Sequence, residues 1–76
     1  MTYDVYDLYE PLADSLRVIG EAQGIEAAER ACETLVDEGE CERIQIWLGD
    51  RVVEELELDG EGVPRWTTYG RRRDLR

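Results

Sequence analysis

The sequence predicts an α+β domain of ββαββ order, with one helix packed on one face of an antiparallel-rich four-stranded sheet. Three observations lead to this class: helical spacing of apolar residues over 25–38, two strand patterns around a tight turn over 43–58, and alternating residues over 15–22. A chain of 76 residues has room for one modest core. We expect the domain to occupy residues 1–60 and an irregular, arginine-rich tail to occupy residues 61–76.

The first two strands are predicted before the helix. Residues 2–9 are rich in tyrosine and valine, which favour strands. Residues 15–22 alternate in character and predict a second strand. An alternative is a short helix over residues 11–19 with proline at its first position. We favour the strand because residues 18–20, Val-Ile-Gly, have low helix propensity.

The helix over residues 25–38 has the clearest pattern. Its apolar residues recur at helical spacing and form one stripe suited to burial: Ile25, Ala28, Ala31, Cys32, Leu35 and Val36. Gly24 suits the N-cap, and Gly39 suits a left-handed C-terminal cap. The opposite face carries acids at steps of three and four residues: Glu26, Glu29, Glu33 and Asp37. Arg30 is spaced to pair with Glu26.

A hairpin is predicted after the helix. Residues 43–48 alternate in character. Ile44, Ile46 and Leu48 are predicted on one side of the strand, and Arg43, Gln45 and Trp47 on the other. A Gly-Asp pair then supplies a two-residue turn, and residues 51–58 return as the next strand. Glu54 breaks the alternation of that strand. This predicts a bulge near residues 53–55 or a frayed edge.

Charge is the strongest global property, with 19 acids, 9 arginines, no lysine or histidine, and a net charge of −10. Residues 1–64 carry 18 acids and 4 arginines, whereas residues 65–76 carry 5 arginines and 1 acid, so the net charges are −14 and +4. Such a body repels nucleic acids and anionic membranes and attracts basic protein surfaces. The alternative is that the acidity serves only solubility or reflects a salt-adapted source.

The residue types that most catalytic sites need are scarce. Without histidine the commonest general base is missing, and the Gly-Glu-Gly of residues 60–62 is too short and too acidic to hold a phosphate. Cys32 and Cys41 are too few for a structural zinc site unless carboxylates join them. We interpret Cys32 as a small buried hydrophobe, with a disulfide to Cys41 as the alternative. The chain is therefore expected to be no enzyme and to hold no cofactor or metal.

Two surfaces are candidate partner-binding sites. One is acidic and combines the helix face with the last predicted strand; the other is the sheet face away from the helix, centred on Trp47. The predicted partner-binding residues are Glu26, Glu29, Glu33, Asp37, Trp47, Glu54, Glu55 and Glu57. The three strand glutamates have a simpler interpretation as a solvated edge. Helix carboxylates one turn apart lie roughly 5–6 Å from each other, similar to phosphates along a nucleic-acid strand.

The far sheet face is predicted to carry an apolar patch. Its members are Trp47, Ile19 and Val53, joined in one phase of the first strand by Tyr6 and Leu8. A patch of this kind needs a cover. Three covers remain open: the tail through Val63, Trp66 and Tyr69, a second copy of the chain, or a partner protein.

The chain is short, has a net charge of −10, contains an acidic-faced helix bounded by Gly24 and Gly39, and lacks a catalytic set of residues. In these features it resembles the small acidic inhibitors encoded by phages and other mobile elements, notably anti-CRISPR proteins. The resemblance implies binding to a CRISPR effector subunit and blocking of its nucleic-acid path. The arginines at 71–73 and 76 depart from a pure nucleic-acid mimic.

The leading hypothesis is thus a non-enzymatic inhibitor that occludes a basic, nucleic-acid-handling surface of a partner. The alternative is a small homodimeric accessory or structural domain that self-associates through its open sheet face. A nucleic-acid-binding module led by the tail arginines is disfavoured by the net charge of −14 on residues 1–64. No apolar run approaches a membrane span, so we expect a cytoplasmic protein, in the host cytoplasm if phage-encoded.

Overall fold

The computed structural model describes residues 4–69, which form one antiparallel sheet with one helix on one of its faces. The elements are β1 (Val5–Pro11), β2 (Leu16–Gln23), α1 (Ile25–Asp37), β3 (Arg43–Leu48), β4 (Arg51–Leu58) and β5 (Pro64–Thr68). The strand order is β2-β1-β3-β4-β5, and every neighbouring pair is antiparallel. The predicted α+β class is confirmed. The four-stranded ββαββ order is wrong because a fifth strand follows β4.

The fifth strand lies inside the segment 61–76, which we expected to be irregular. Asp59 makes the turn before it: one carboxylate oxygen accepts the backbone N–H groups of Glu61 (2.8 Å) and Val63 (2.9 Å), and the other accepts Arg65 Nε (2.9 Å). A side chain that accepts bonds from the following backbone is a strong turn former. β5 begins with proline, which an edge strand tolerates. The arginines beyond residue 69 lie outside the described residues.

The first hairpin contains a register shift that the alternation did not predict. Leu8 lies opposite Gly20, but Tyr9 lies opposite Val18, so Ile19 is an extra residue in β2. The alternative helix over residues 11–19 is not formed. Ile19 packs against the core instead of pointing away from the helix, which is the usual effect of a bulge on side-chain direction.

The second hairpin matches its prediction. Leu48 pairs with Arg51 across a two-residue turn, and Gly49 takes a φ of 66°, which such turns require. The register then shifts between Ile46 and Trp47, which leaves Val53 as the extra residue of β4. The bulge expected near residues 53–55 is therefore confirmed.

The helix begins directly after Gly24 and ends near Gly39, as predicted. Gly39 takes a φ of 80° and donates its N–H to the Val36 carbonyl (3.1 Å), while Glu40 donates to the Leu35 carbonyl (2.9 Å). These reversed bonds satisfy carbonyl groups that would otherwise lack partners at the helix end. A glycine at position 39 is favoured because a side chain there would be strained by the positive φ.

One hydrophobic core lies between α1 and the sheet. Its buried members are Leu8, Ala28, Cys32, Val36, Cys41, Ile44, Ile46 and Leu56. The helix contributes the residues at 28, 32 and 36, which follow the predicted spacing. α1 packs against β1, β2, β3 and β4, whereas no contact with β5 is found within residues 4–69.

The sheet face opposite α1, here called the open face, carries Arg43, Gln45 and Trp47 from β3 together with their cross-strand neighbours. No element within residues 4–69 packs on it. Ile19, Val53, Tyr6 and Leu8 were expected there, but all four pack on the helix side. The two bulges turn Ile19 and Val53 toward the helix. The register of β1 places Tyr6 and Leu8 on that same side. The segment 64–68 does not cover this face either, because β5 extends the sheet at its edge.

Candidate functional site

Four predicted acids form a continuous row along α1. Within this acidic row, the side chains of Glu26, Glu33 and Asp37 are exposed. The side chain of Glu29 is half-buried. The row lies beside the buried stripe of Ala28, Cys32 and Val36 and not diametrically opposite it. The helix thus presents one edge of negative charge next to the sheet.

The carboxylates of the acidic row have no ion-pair partner within residues 4–69. The ion pairs there join Arg17 to Glu10, Arg43 to Glu55 and Arg65 to Asp59, all on strands or in turns. The pair expected between Arg30 and Glu26 is not formed. Arg30 is exposed on the same helix and lies between Glu29 and Glu33 in the sequence, so it offsets part of the row's negative charge although it forms no ion pair with the row.

Helix stability accounts for only part of the acidic row. Glu26 lies in the first turn, where the helix dipole favours a negative charge. Asp37 lies at the other end, where a negative charge is unfavourable, and the last turn contains no basic residue. An acidic helix optimised for stability would carry its acids only near the start. The charge at Asp37 is therefore better explained as a property of the surface.

A cleft of about 700 Å³ lies beside the row, between α1, β4 and the turn before β5. Glu33 and Asp37 stand on its helix wall. Its base is apolar and consists of Val36, Leu56 and Leu58. Pro64 lies on the opposite wall. Two carboxylates of the acidic row, the guanidinium of Arg30 and an apolar base are thus combined in one concave surface.

The cleft exists because β5 extends the sheet beyond the reach of the helix. Trp66 of β5 lies opposite Leu56, so its side chain points to the helix side of the sheet. It is 37% exposed. Sequence reasoning missed this residue as part of a site, although the run Trp-Thr-Thr-Tyr has the aromatic and β-branched composition of a strand.

Glu54 and Glu55 are buried, which corrects the expectation of a solvated edge; Glu57 is exposed. Glu54 is 9% exposed and faces the helix side, opposite Ile46. Glu55 is 4% exposed and lies on the open face. The bulge at Val53 turns Glu54 to the helix side, whereas Glu55 is covered on the open face by its contacts with Arg43 and Tyr69.

The open face carries a hydrogen-bonded cluster around Glu55. Tyr69 donates its hydroxyl hydrogen to Glu55 Oε1 (2.8 Å), and Arg43 donates Nε–H to Oε2. Trp47 donates its indole N–H to Gln45 Oε1 (3.0 Å). The alternation along β3 predicted that Arg43, Gln45 and Trp47 share one side of the strand. No local sequence pattern predicted that Tyr69 contacts this cluster.

Glu55 remains ionised at neutral pH. Burial would by itself raise the pKa of this carboxyl, but the hydrogen bonds from Arg43 and Tyr69 outweigh burial and hold the pKa below its ordinary value. The same contact raises the pKa of Tyr69. Both oxygens of Glu55 are thus engaged by donors, an arrangement that suits a structural ion pair better than proton transfer.

An aromatic pair and several exposed aliphatic side chains occupy the other half of the open face. The rings of Tyr9 and Trp47 meet edge to face, with centroids 5.7 Å apart and planes at 77°. Leu16 and Val18 of β2 are 41% and 66% exposed. Trp47 therefore belongs to a different surface from the acidic row, and the predicted partner-binding residues are divided between two faces.

The cysteines are free and buried. Burial raises the pKa of Cys32 to about 12, with added effects from its neighbours Cys41 and Glu54. A thiol of this kind stays protonated and behaves as a small hydrophobe. Residues 4–69 contain no group of three or more Cys, Asp or Glu side chains placed to hold a metal ion. No helix in that range is long and apolar enough to cross a membrane.

Comparison with known proteins gives no relative: no protein-family model, curated protein or solved structure matches the chain. The arrangement of charge and apolar surface on the described residues is therefore the basis for assigning a function.

Proposed function

We propose that this protein is a non-enzymatic inhibitor that binds a basic, nucleic-acid-handling surface of a partner through its acidic row. The observation that carries the proposal is the row itself: four carboxylates on one helix edge, with no ion pair to any described residue. Charges of this kind keep their long-range attraction for cations.

The row acts by competition with phosphate groups. Its carboxylates are spaced roughly 5–6 Å apart by the helix, and the helix holds them in line. A groove that accepts a nucleic-acid backbone presents arginine and lysine side chains at a similar spacing. Occupation by the rigid row blocks that groove without any chemical step. The resemblance to anti-CRISPR proteins makes a CRISPR effector subunit the first partner to test.

A displacement assay tests the proposal. A labelled oligonucleotide is bound to a purified CRISPR effector complex or to another basic nucleic-acid-binding protein, and its release by this chain is followed by fluorescence anisotropy. The row variant carries Glu26→Gln, Glu29→Gln, Glu33→Gln and Asp37→Asn. A control carries four exposed changes away from α1: Asp14→Asn, Glu21→Gln, Glu42→Gln and Asp50→Asn.

Both variants lose the same formal charge, so net charge alone cannot separate them. We expect the natural chain and the control to displace the oligonucleotide and the row variant to fail. Equal displacement by the two variants would show that the location of the charge is unimportant. No displacement by the natural chain from any basic partner would refute the proposal.

A homodimer is the second candidate, because Leu16 and Val18 are exposed on a face that no described element covers. Face-to-face packing of two sheets would bury them. The net charge of −10 opposes association of two copies. Sedimentation equilibrium at tens of micromolar distinguishes the two candidates: a dimer that Val18→Glu dissociates favours the second, and a monomer favours the first.

A further inference from the structure

The helix layer of this domain is incomplete. Strands in a sheet lie about 4.7–4.9 Å apart, so five strands span roughly 19 Å. A helix with its side chains is about 10–12 Å wide. α1 packs against β1 to β4, and no element within residues 4–69 packs on the helix side of β5. The strip beside α1 is therefore roughly 7–9 Å wide, so one further helix would fill it and extend past the edge of β5.

The chemistry of this strip is that of one side of a helix-binding groove. Leu58 lines the cleft, and Trp66 offers a larger and more exposed apolar surface beside it on the helix side of β5. Glu33 and Asp37 rise along the α1 side together with Arg30. A segment that filled the cleft would meet apolar atoms below it, and two carboxylates and one guanidinium beside it.

We propose that the cleft between α1 and β5 binds a basic amphipathic helix of the partner protein, an inference that rests on the proposed function. The apolar side of this helix packs on Leu58 and Trp66. Its arginine or lysine side chains reach Glu33 and Asp37. Packed helices lie 8–10 Å apart, which places the partner helix over β4 and β5.

The edge of β5 disfavours the other common mode, in which a partner adds a strand to the sheet. Pro64 has no N–H to donate to a neighbouring strand. Arg65 adds a charged side chain to the short edge strand. Proline and charged residues are typical protections of a sheet edge. A helix resting on the face of β5 makes no use of that edge.

The test uses three designed 18-residue peptides at low ionic strength. The first is an amphipathic helix of leucine, alanine and arginine. The second has the same composition in an order without an apolar side, and the third carries glutamate in place of arginine. Each is titrated against the full chain by anisotropy, and amide shifts of the ¹⁵N-labelled chain locate the contact.

We expect the first peptide to bind about tenfold more tightly than the second, and the third not to bind. Trp66→Ala should weaken the first peptide about fivefold to tenfold, because truncating an aromatic anchor costs more than other contacts. Leu16→Ala, on the open face, should leave binding unchanged. Circular dichroism checks that both variants fold. For the natural chain, amide shifts should concentrate at residues 30–37 and 56–68.

The outcomes separate this inference from the function on which it rests. Equal binding of the first two peptides would overturn the helix-binding cleft but leave a cation-binding acidic row in place. Shifts confined to the open face, or weakening by Leu16→Ala alone, would overturn the cleft as well. No binding of either arginine peptide would overturn both proposals. If Trp66→Ala does not fold, the shift map of the natural chain decides between these outcomes.

Discussion

Glu55 shows how one buried carboxylate can join three strands. It lies on β4, accepts a hydrogen bond from Arg43 on β3, and accepts another from Tyr69 at the end of β5. β5 makes no contact with α1, so this contact, the β4 ladder and the Asp59–Arg65 pair hold it in place. The geometry of the cleft thus depends on a residue on the opposite side of the sheet.

Glu55→Gln should lower the free energy of unfolding by about 1–3 kcal/mol, because Arg43 and Tyr69 lose the charged acceptor that the buried Glu55 provides. Chemical denaturation measures the change. Glu57→Gln is the matched control, since Glu57 is the next open-face glutamate on the same strand but is exposed. It should change stability by no more than about 0.5 kcal/mol. Equal effects of the two substitutions would contradict the role given to Glu55.

The pH dependence of stability should report the same residue. The pKa of Glu55 is lower in the folded protein than in the unfolded chain, so its contribution is present at neutral pH and is lost as pH falls. The free energy of unfolding should therefore decline from about pH 5 to about pH 3. Glu55→Gln should make that decline shallower. An identical decline in the variant would contradict the prediction.

At the scale of single elements, α1 combines a stability role with a surface role that conflict at its last turn. Asp37 interacts unfavourably with the negative end of the helix dipole and faces the cleft. Its cost in stability is consistent with a benefit in binding.

Asp37→Asn should raise the free energy of unfolding by about 0.3–1 kcal/mol and weaken binding of a basic partner. Glu26→Gln is the control, because Glu26 lies in the first turn and its neutralisation should lower stability. Thermal unfolding measures the change in stability, and the peptide titration measures the change in binding affinity. A variant at Asp37 that loses stability would show that this carboxylate has a structural role instead.

The turn made by Asp59 controls the position of β5. Its carboxylate accepts bonds from Val63, Glu61 and Arg65, and these contacts lower its pKa. Asp59→Ala removes all three contacts and should speed amide hydrogen exchange of residues 65–68 several-fold, whereas Asp59→Asn keeps an acceptor for the backbone and should have a smaller effect. Unchanged exchange in the alanine variant would place the control of β5 elsewhere.

Elements with a local pattern were predicted well from the sequence. The apolar spacing of α1 and the Gly-Asp turn between β3 and β4 are local signals, so their positions agree with the structure to within a residue or two. β5 was missed because it is short, entirely exposed and lacks an alternating apolar pattern. The side-chain directions of Ile19 and Val53 were wrong because each is a bulge residue, and a one-residue shift reverses the face.

The candidate site was only partly predictable for the same reason. The acidic row follows from helix spacing alone. The cleft depends on a helix that contacts four strands and not the fifth, which is a tertiary property. Burial of Glu54 and Glu55 likewise depends on the register between β3 and β4.

For the whole molecule, a net charge of −10 on 76 residues should make stability depend on salt. Like charges repel one another across a small domain, and ions screen this repulsion over about 10 Å at 0.1 M and about 3 Å at 1 M. The melting temperature should therefore rise by several degrees between these concentrations. Potassium chloride is suitable because it binds proteins weakly. A melting temperature that falls with salt would mean that attractive pairs outweigh the repulsion.

The same screening should act on partner binding in the opposite direction. Higher salt should stabilise the isolated chain yet weaken its complexes, because the first effect relieves repulsion and the second removes attraction. A protein that is acidic only for solubility or for a saline environment would be stabilised by salt but would have no partner complex for salt to weaken.

The most direct test of the acidic row is the salt dependence of binding to a defined polycation such as poly-L-arginine, measured by titration calorimetry. The natural chain and the control with four exposed changes outside α1 should bind at low salt and lose affinity steeply as salt increases. The row variant should bind much more weakly, with a shallower dependence. Equal affinities and equal salt slopes for the row variant and the control would contradict the account.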